Sequence, residues 1–162
     1  MLIKRTAPQA EPITLEEAKL HVRINPDDTS EDKDILIPLI SAAREFCENR
    51  TGRSFAVQTI SVCPESSGTV RLPYAPVISV DSVTTLQGEP VEYAADIFRG
   101  TVEVDRSDVV ITYTAGGDEI PALMRQAMLM LIDDWYNNRG DSSIEVTGAV
   151  KTILNQNKRW WF

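Results

Sequence analysis

The sequence predicts an α+β fold: a mainly helical subunit in which about three helices pack with a small antiparallel β-sheet, followed by a C-terminal tail. Two observations carry this prediction. Apolar residues recur at three- and four-residue steps over 36–47, whereas β-branched and polar residues alternate over 54–115. A length of 162 residues is typical of a single domain. We therefore expect a core domain over 1–140 and a docking tail, with a short helix and an aromatic end, over 141–162.

Two helices are predicted before the sheet region. The first covers residues 15–22, and Thr14-Leu15-Glu16-Glu17 has the form of a capping box at its start. The second begins at Glu31 and ends before Gly52, which we expect to adopt a left-handed conformation. Pro38 predicts either a kink or a helix that starts near it, because proline removes a helical hydrogen bond.

The sheet region and the third helix follow. Strands are expected near 55–63, 69–72, 77–86, 101–104 and 109–115, and Gly116-Gly117 ends the last of them. Pro121 suits the first position of a helix over 121–139. Residues 127–132 are apolar on every side of that helix, so other helices or another chain must cover it. We assign five of its side chains to a subunit interface: Met124, Met128, Leu131, Trp135 and Tyr136.

Composition limits the possible functions. A formal net charge of -8 argues against a free-standing DNA-binding module, because such binding depends on Lys and Arg at phosphates. It does not exclude a protein that DNA must pass without adhering. Cys47 and Cys63 are predicted to be free thiols rather than a disulfide, because no signal sequence indicates secretion. No stretch approaches the length of a membrane span, so no membrane association is expected.

The sequence contains few of the residues that common catalytic and metal sites require. His21 is the only histidine and is expected to be a half-exposed helix residue. An enzyme would need a pocket that gathers His21, Asp133 or Cys47. A calcium loop counted from Asp27 fails at positions six and twelve. We therefore expect no catalysis, no metal and no cofactor.

The C-terminus carries a possible anchor. Trp160, Trp161 and Phe162 bury little area unless a surface receives them, and Lys158 and Arg159 would flank such a contact. The tail either folds back on its own sheet or binds a partner. We favour the anchor, because large aromatic residues and Arg dominate interface hot spots.

Short sequence motifs over 14–139 resemble those of the head-to-tail connector proteins of tailed bacteriophages, and they occur in the same order as in that family. These motifs are Thr14-Leu15-Glu16-Glu17-Ala18-Lys19 with Arg23-Ile24, Ala42-Ala43-Arg44-Glu45 with Glu48, Thr51-Gly52-Arg53, Leu72-Pro73 with Pro76-Val77, Val80 and Val83, Thr112-Tyr113 with Ala115-Gly116, and Ile120-Pro121 leading to Trp135-Tyr136-Asn137-Asn138-Arg139. Each motif alone is also a cap, a turn or a core stripe, so the resemblance depends on their order.

The resemblance implies a structural virion protein without catalysis. About a dozen copies would form a homo-oligomeric ring under the portal protein, extend the DNA channel and meet a tail completion or stopper protein. DNA would pass through without sequence-specific binding, and the C-terminal tail would dock on the portal. The implied location is the head-tail junction of the virion, after assembly in the host cytoplasm.

An acidic ring would repel DNA from the channel wall, so that the duplex slides through. Glu31, Asp32 and Asp34 are the candidate channel-facing side chains. Two alternatives stay open. One is a non-catalytic phage or host interaction module that binds one partner through the aromatic tail. The other, less favoured, is a small enzyme.

Overall fold

The computed structural model describes residues 1–25, 32–117, 119–138 and 146–158, with the backbone alone at 32 and 33. Four helices and two small antiparallel sheets confirm the predicted α+β class. The chain forms two compact units. We call Met1–Ala10 with Gly52–Asp118 the sheet unit, and Glu11–Thr51 with Glu119–Phe162 the helical unit. The division into a core over 1–140 and a tail over 141–162 stays a prediction.

The helices and strands follow the chain in this order. The helices are α1 (Leu15–His21), α2 (Asp32–Thr51), α3 (Ala122–Asn137) and α4 (Gly148–Asn157). The strands are β1 (Leu2–Arg5), β2 (Gln58–Cys63), β3 (Gly68–Arg71), β4 (Val77–Thr85), β5 (Ala94–Asp96), β6 (Thr101–Val104) and β7 (Val109–Ala115). The three predicted helices are therefore present, and the short helix expected in the C-terminal segment is α4.

The helical unit is built around α2 and α3. Helix α2 packs against α1, α3 and α4, and α3 also contacts α1 and α4. Other helices of the same chain thus cover much of α3, although Leu129 and Met130 in its apolar middle are only half-buried. Helix α2 starts at Asp32 and continues through Pro38, whose side chain is exposed, so the helix does not start at the proline. Gly52 follows α2 with a φ of 68°, as the sequence predicts.

A buried ionic cluster joins the segment before α1 to α2. Arg44 donates from Nε to Glu11 Oε2 and from Nη1 to Glu48 Oε2, each at 2.8 Å. Ser41 Oγ donates to the other oxygen of Glu11 at 2.8 Å. Because buried charges are tolerated only when they are paired, this cluster fixes the path of the chain into the helical unit.

The sheet unit contains a four-stranded sheet in the order β1-β2-β7-β4 and a three-stranded sheet in the order β3-β6-β5. All pairings between these strands are antiparallel. Along β7 buried and half-buried residues alternate, so one face of the strand joins the core. The Tyr113 hydroxyl lies in that core and donates to the Pro73 carbonyl oxygen at 2.5 Å. The expectation of a single sheet is corrected, since β1 and β5 were not predicted and the strands divide into two sheets.

Candidate interaction surfaces

The predicted docking segment starts at the end of α4. Lys158 is exposed and has an extended backbone with φ -63° and ψ 130°, so it caps α4, which ends at Asn157. Arg159, Trp160, Trp161 and Phe162 lie outside the described residues. Docking through Lys158 to Phe162 therefore stays a prediction.

A cavity of about 230 Å³ lies between α2 and α4, and we call it the basic cavity. Its apolar lining comes from Phe46, Val146 and Leu154. Three cations line it as well: Arg50, Lys151 and Lys158. None of the described lining residues is a carboxylate, so this cavity concentrates positive charge in a chain whose formal net charge is -8.

Contacts of the Phe46 ring fix the floor of the basic cavity. The Arg50 guanidinium carbon lies 5.5 Å from the centroid of the Phe46 ring. On α3, Trp135 meets the same ring edge-on, with centroids 6.0 Å apart and an interplanar angle of 88°. Such cation–π and edge-to-face contacts fix the orientation of the Phe46 ring and of the Arg50 side chain.

Of the three cations in the basic cavity, only Lys158 was predicted as an interaction residue, and it was assigned to docking; Arg50 and Lys151 were not predicted. Lys151 and Lys158 are seven residues apart, and residues at this spacing return to the same face of a helix. That spacing, with Leu154 between the two lysines, was the available signal. Arg50 carries no comparable signal, because its approach to α4 depends on how the helices pack.

The five residues predicted for the subunit interface occupy two environments. Met124, Met128 and Leu131 are buried in the helical unit. Trp135 and Tyr136 are half-buried and keep part of their side chains accessible. In this conformation Trp135 and Tyr136 are therefore the two that a neighbouring chain can reach, and the interface itself stays a prediction.

The acidic candidates lie at the start of α2. Asp34 is exposed in the first turn, where a carboxylate suits the positive end of the helix dipole. Asp32 begins the helix, but its side chain is not described, and Glu31 lies outside the described residues. Their position at a channel wall stays a prediction.

A second surface, not predicted from the sequence, lies on the sheet unit. A shallow, open depression on this unit is lined by exposed Glu92, Tyr93, Glu103 and Asp105, and we call this surface the acidic face. Ala94 and Val104 complete its lining, which contains no cation among the described residues. Along β6, exposed Glu103 stands between buried residues, so the alternation of the strand turns its carboxylate outward.

The groups that an enzyme would have needed are spread over three helices. His21 is a half-buried residue of α1, as predicted, whereas Cys47 is buried in α2. On α3, the side-chain amide of Asn137 donates to Asp133 Oδ1 at 2.9 Å, one turn away. The basic cavity, the acidic face and a depression beside Ile13 and Ile40 are lined by other residues. Cys47 and Cys63 are free thiols, which confirms the prediction.

The described residues contain neither a metal-binding cluster nor a helix that could cross a membrane. In this part of the chain, no group of three His, Cys, Asp or Glu side chains is arranged to hold a metal ion. Of the helices described, none combines the length and the apolar character that crossing a membrane requires.

Comparisons with known proteins give a family and a fold. The model of a family described as head completion protein matches residues 11–159. The neck of an empty gene transfer agent (GTA) particle, computed with C6 symmetry, contains a chain with a TM-score of 0.76 and 19% identity. The native GTA neck, computed with C12 symmetry, contains one with a TM-score of 0.70 and 19% identity. Each match covers 100% of this chain and 97% of the other. At this identity the two structures indicate the fold alone, and a comparison with curated protein sequences gives no match.

Proposed function

This chain belongs to the head completion protein family, and from that premise we propose that it forms a ring that docks under the portal. The ring extends the DNA channel and joins the capsid to the tail, where it meets a tail completion or stopper protein. The observation that carries the proposal is the family match, which spans nearly the whole chain rather than one motif.

The copy number rests on the related particles. Chains of the same fold occur in a neck computed with C12 symmetry and in another computed with C6 symmetry. Both symmetries are compatible with a ring of about a dozen copies. The portal's own rotational symmetry would template that number, because closed rings form when identical interfaces repeat around one axis.

The charge of the chain supports a channel role. The sequence contains 24 Asp and Glu residues but only 16 Lys and Arg residues. Repeated around an axis, an acidic lumen repels phosphates, and DNA moves through it without adhering. Exposed Asp34 is the described residue that we place at this wall, together with Glu31 and Asp32.

Docking on the portal uses the C-terminal segment. Exposed Lys158 follows the end of α4, and four residues, three of them large aromatics, come after it in the sequence. An aromatic end flanked by cations has the composition of an interface hot spot. The same segment would serve an interaction module that binds one partner, so a test must separate the two functions.

The test measures mass. The purified full-length chain is examined by sedimentation or light scattering, alone and after mixing with the cognate portal ring. We expect co-migration with the portal in a multiple near the portal's symmetry. Removal of Lys158 to Phe162 should abolish it, and replacement of Lys4 by Ala on β1 is the control. A chain that stays monomeric and never binds the portal contradicts the proposal, and one copy bound through the tail indicates the interaction module.

A further inference from the structure

We propose that the basic cavity of one copy receives the acidic face of the next copy, so that these two surfaces form a contact between neighbours in the ring, in addition to the one predicted at Trp135 and Tyr136. This inference rests on the proposed function, since it assumes that copies of the chain associate. It names the residues through which the copies associate.

The basic cavity has the chemistry of a site for an anionic protein surface. Arg50 and Lys151 flank a floor that contains Phe46 and Leu154, and Lys158, which the proposed function uses for portal docking, lies beside them. Phosphate groups alone would not use such a floor. A protein surface that carries carboxylates beside an aromatic ring matches both parts of the cavity, and desolvation of that ring strengthens the charge contacts.

The acidic face carries the complementary set. Glu92, Glu103 and Asp105 supply three carboxylates, and Tyr93 supplies an aromatic ring whose side chain is 42% exposed. Tyr is among the residues enriched at the centres of protein interfaces. Carboxylates beside a tyrosine ring thus match the cations and the apolar floor of the basic cavity.

Ring geometry explains why both surfaces occur on one chain. In a cyclic ring the contact is heterologous, so each copy uses one surface towards one neighbour and a different surface towards the other. Two unlike, complementary surfaces on a single chain are what such a contact requires.

The experiment uses charge reversal in the full-length chain. Lys151→Glu places a carboxylate in the basic cavity, and Glu103→Lys places a cation on the acidic face. Each variant alone should assemble on the portal at least about tenfold more weakly than the wild type, because like charges then meet at every contact of the ring. Lys4→Glu and Glu119→Lys make the same changes at exposed positions outside both surfaces and should assemble normally. Circular dichroism and thermal unfolding establish that each variant is folded.

The decisive sample is an equal mixture of the two variants. In an alternating ring, every cavity reversed by Lys151→Glu would meet a face reversed by Glu103→Lys. Every unchanged cavity would meet an unchanged face, so assembly should return. Normal assembly of either single variant, or no rescue in the mixture, overturns the inference and leaves the proposed function intact. Normal assembly of Lys151→Glu with altered DNA retention would overturn it in favour of a contact with DNA. A wild-type chain that never assembles contradicts the proposed function itself.

Discussion

Arg44 and Glu48 lie one turn apart on α2 with their side chains 4% and 0% exposed, and they form an ion pair with a nitrogen–oxygen distance of 2.8 Å. Burial by itself lowers the pKa of Arg44. The hydrogen bond to Glu11 and the charges of Glu48 and Glu11 outweigh burial and raise that pKa above its ordinary value. The guanidinium is thus a permanent charge between two carboxylates, and we expect its removal to destabilise the helical unit.

Arg44→Met should lower the free energy of unfolding by about 3 kcal/mol, since removing one partner of a buried ion pair leaves the other charge uncompensated. Urea denaturation of the full-length chain measures the change. Arg106→Met is the matched control, because Arg106 pairs with Asp108 on the surface and its loss should change stability little. Equal losses of unfolding free energy in the two variants would show that the buried ion pair stabilises the fold no more than the surface pair does.

The capping box of α1 predicts a pH dependence. The Thr14 amide donates to Glu17 Oε2 at 3.0 Å, and this bond is the largest cause of a lowered pKa at Glu17. Burial opposes the shift, and a hydrogen bond from Arg125 adds to it. A lowered folded pKa means that Glu17 stabilises the fold above its ordinary value of 4.5, and that this stabilisation is lost as the pH falls through the folded value.

Glu17→Gln should therefore be less stable than the wild type at neutral pH and should lose less stability on acidification. Thermal unfolding from about pH 6 to about pH 3 measures the difference. The control is Glu16→Gln, an exposed neighbour in the same turn, which should keep the wild-type acid dependence. Parallel curves for Glu17→Gln and the wild type would contradict the assignment.

Cys47 should be inert at neutral pH. Burial, with a smaller contribution from the charge of Glu48, raises the pKa of its thiol from 9.0 to about 12. Only the thiolate attacks thiol reagents, so labelling of the folded chain near neutral pH should occur at half-buried Cys63. Peptide mapping after alkylation identifies the labelled residue, and denatured protein, in which both thiols react, is the control. Equal labelling of the two thiols in folded protein would contradict the prediction.

The same shift predicts a loss of stability at alkaline pH. Above about pH 9 the unfolded chain releases the Cys47 proton while the folded chain keeps it, so stability falls as the pH rises towards about 12. Cys47→Ala should flatten this part of the stability curve, whereas Cys63→Ala should not. A decline that is the same in both variants would assign the alkaline effect to other groups.

Local signals in the sequence predict most elements of this fold. The Thr14 capping box forms as expected, with Glu17 N donating to Thr14 Oγ1 at 3.2 Å. Strands with clear alternation, such as β7, match their predicted bounds of 109–115. The two missed strands lack that signal. β1 reads Leu-Ile-Lys-Arg and β5 is only Ala-Ala-Asp, so pairing with β2 and β6 creates them, and pairing is a tertiary property.

Interaction surfaces are harder to predict than elements, because they join residues that are distant in sequence. Phe46 and Leu154 meet in one cavity only because α2 packs against α4. Met124 and Met128 show the opposite difficulty. Their apolar character indicates burial, but a sequence alone does not tell whether the same chain or a neighbour buries them, and here the helical unit does.

Asp34→Lys tests the proposed channel wall. Asp34 is exposed in the first turn of α2, so the change leaves the core intact but places a cation on each copy of the ring. A ring of added cations would hold phosphates, and particles carrying the variant should release DNA more slowly, most clearly at low salt. Glu16→Lys makes the same change in the exposed first turn of α1, and Asp34→Asn separates lost repulsion from new attraction. Normal DNA release from Asp34→Lys particles would show that Asp34 does not line the channel. It would not contradict ring formation, which the portal-binding experiment tests independently.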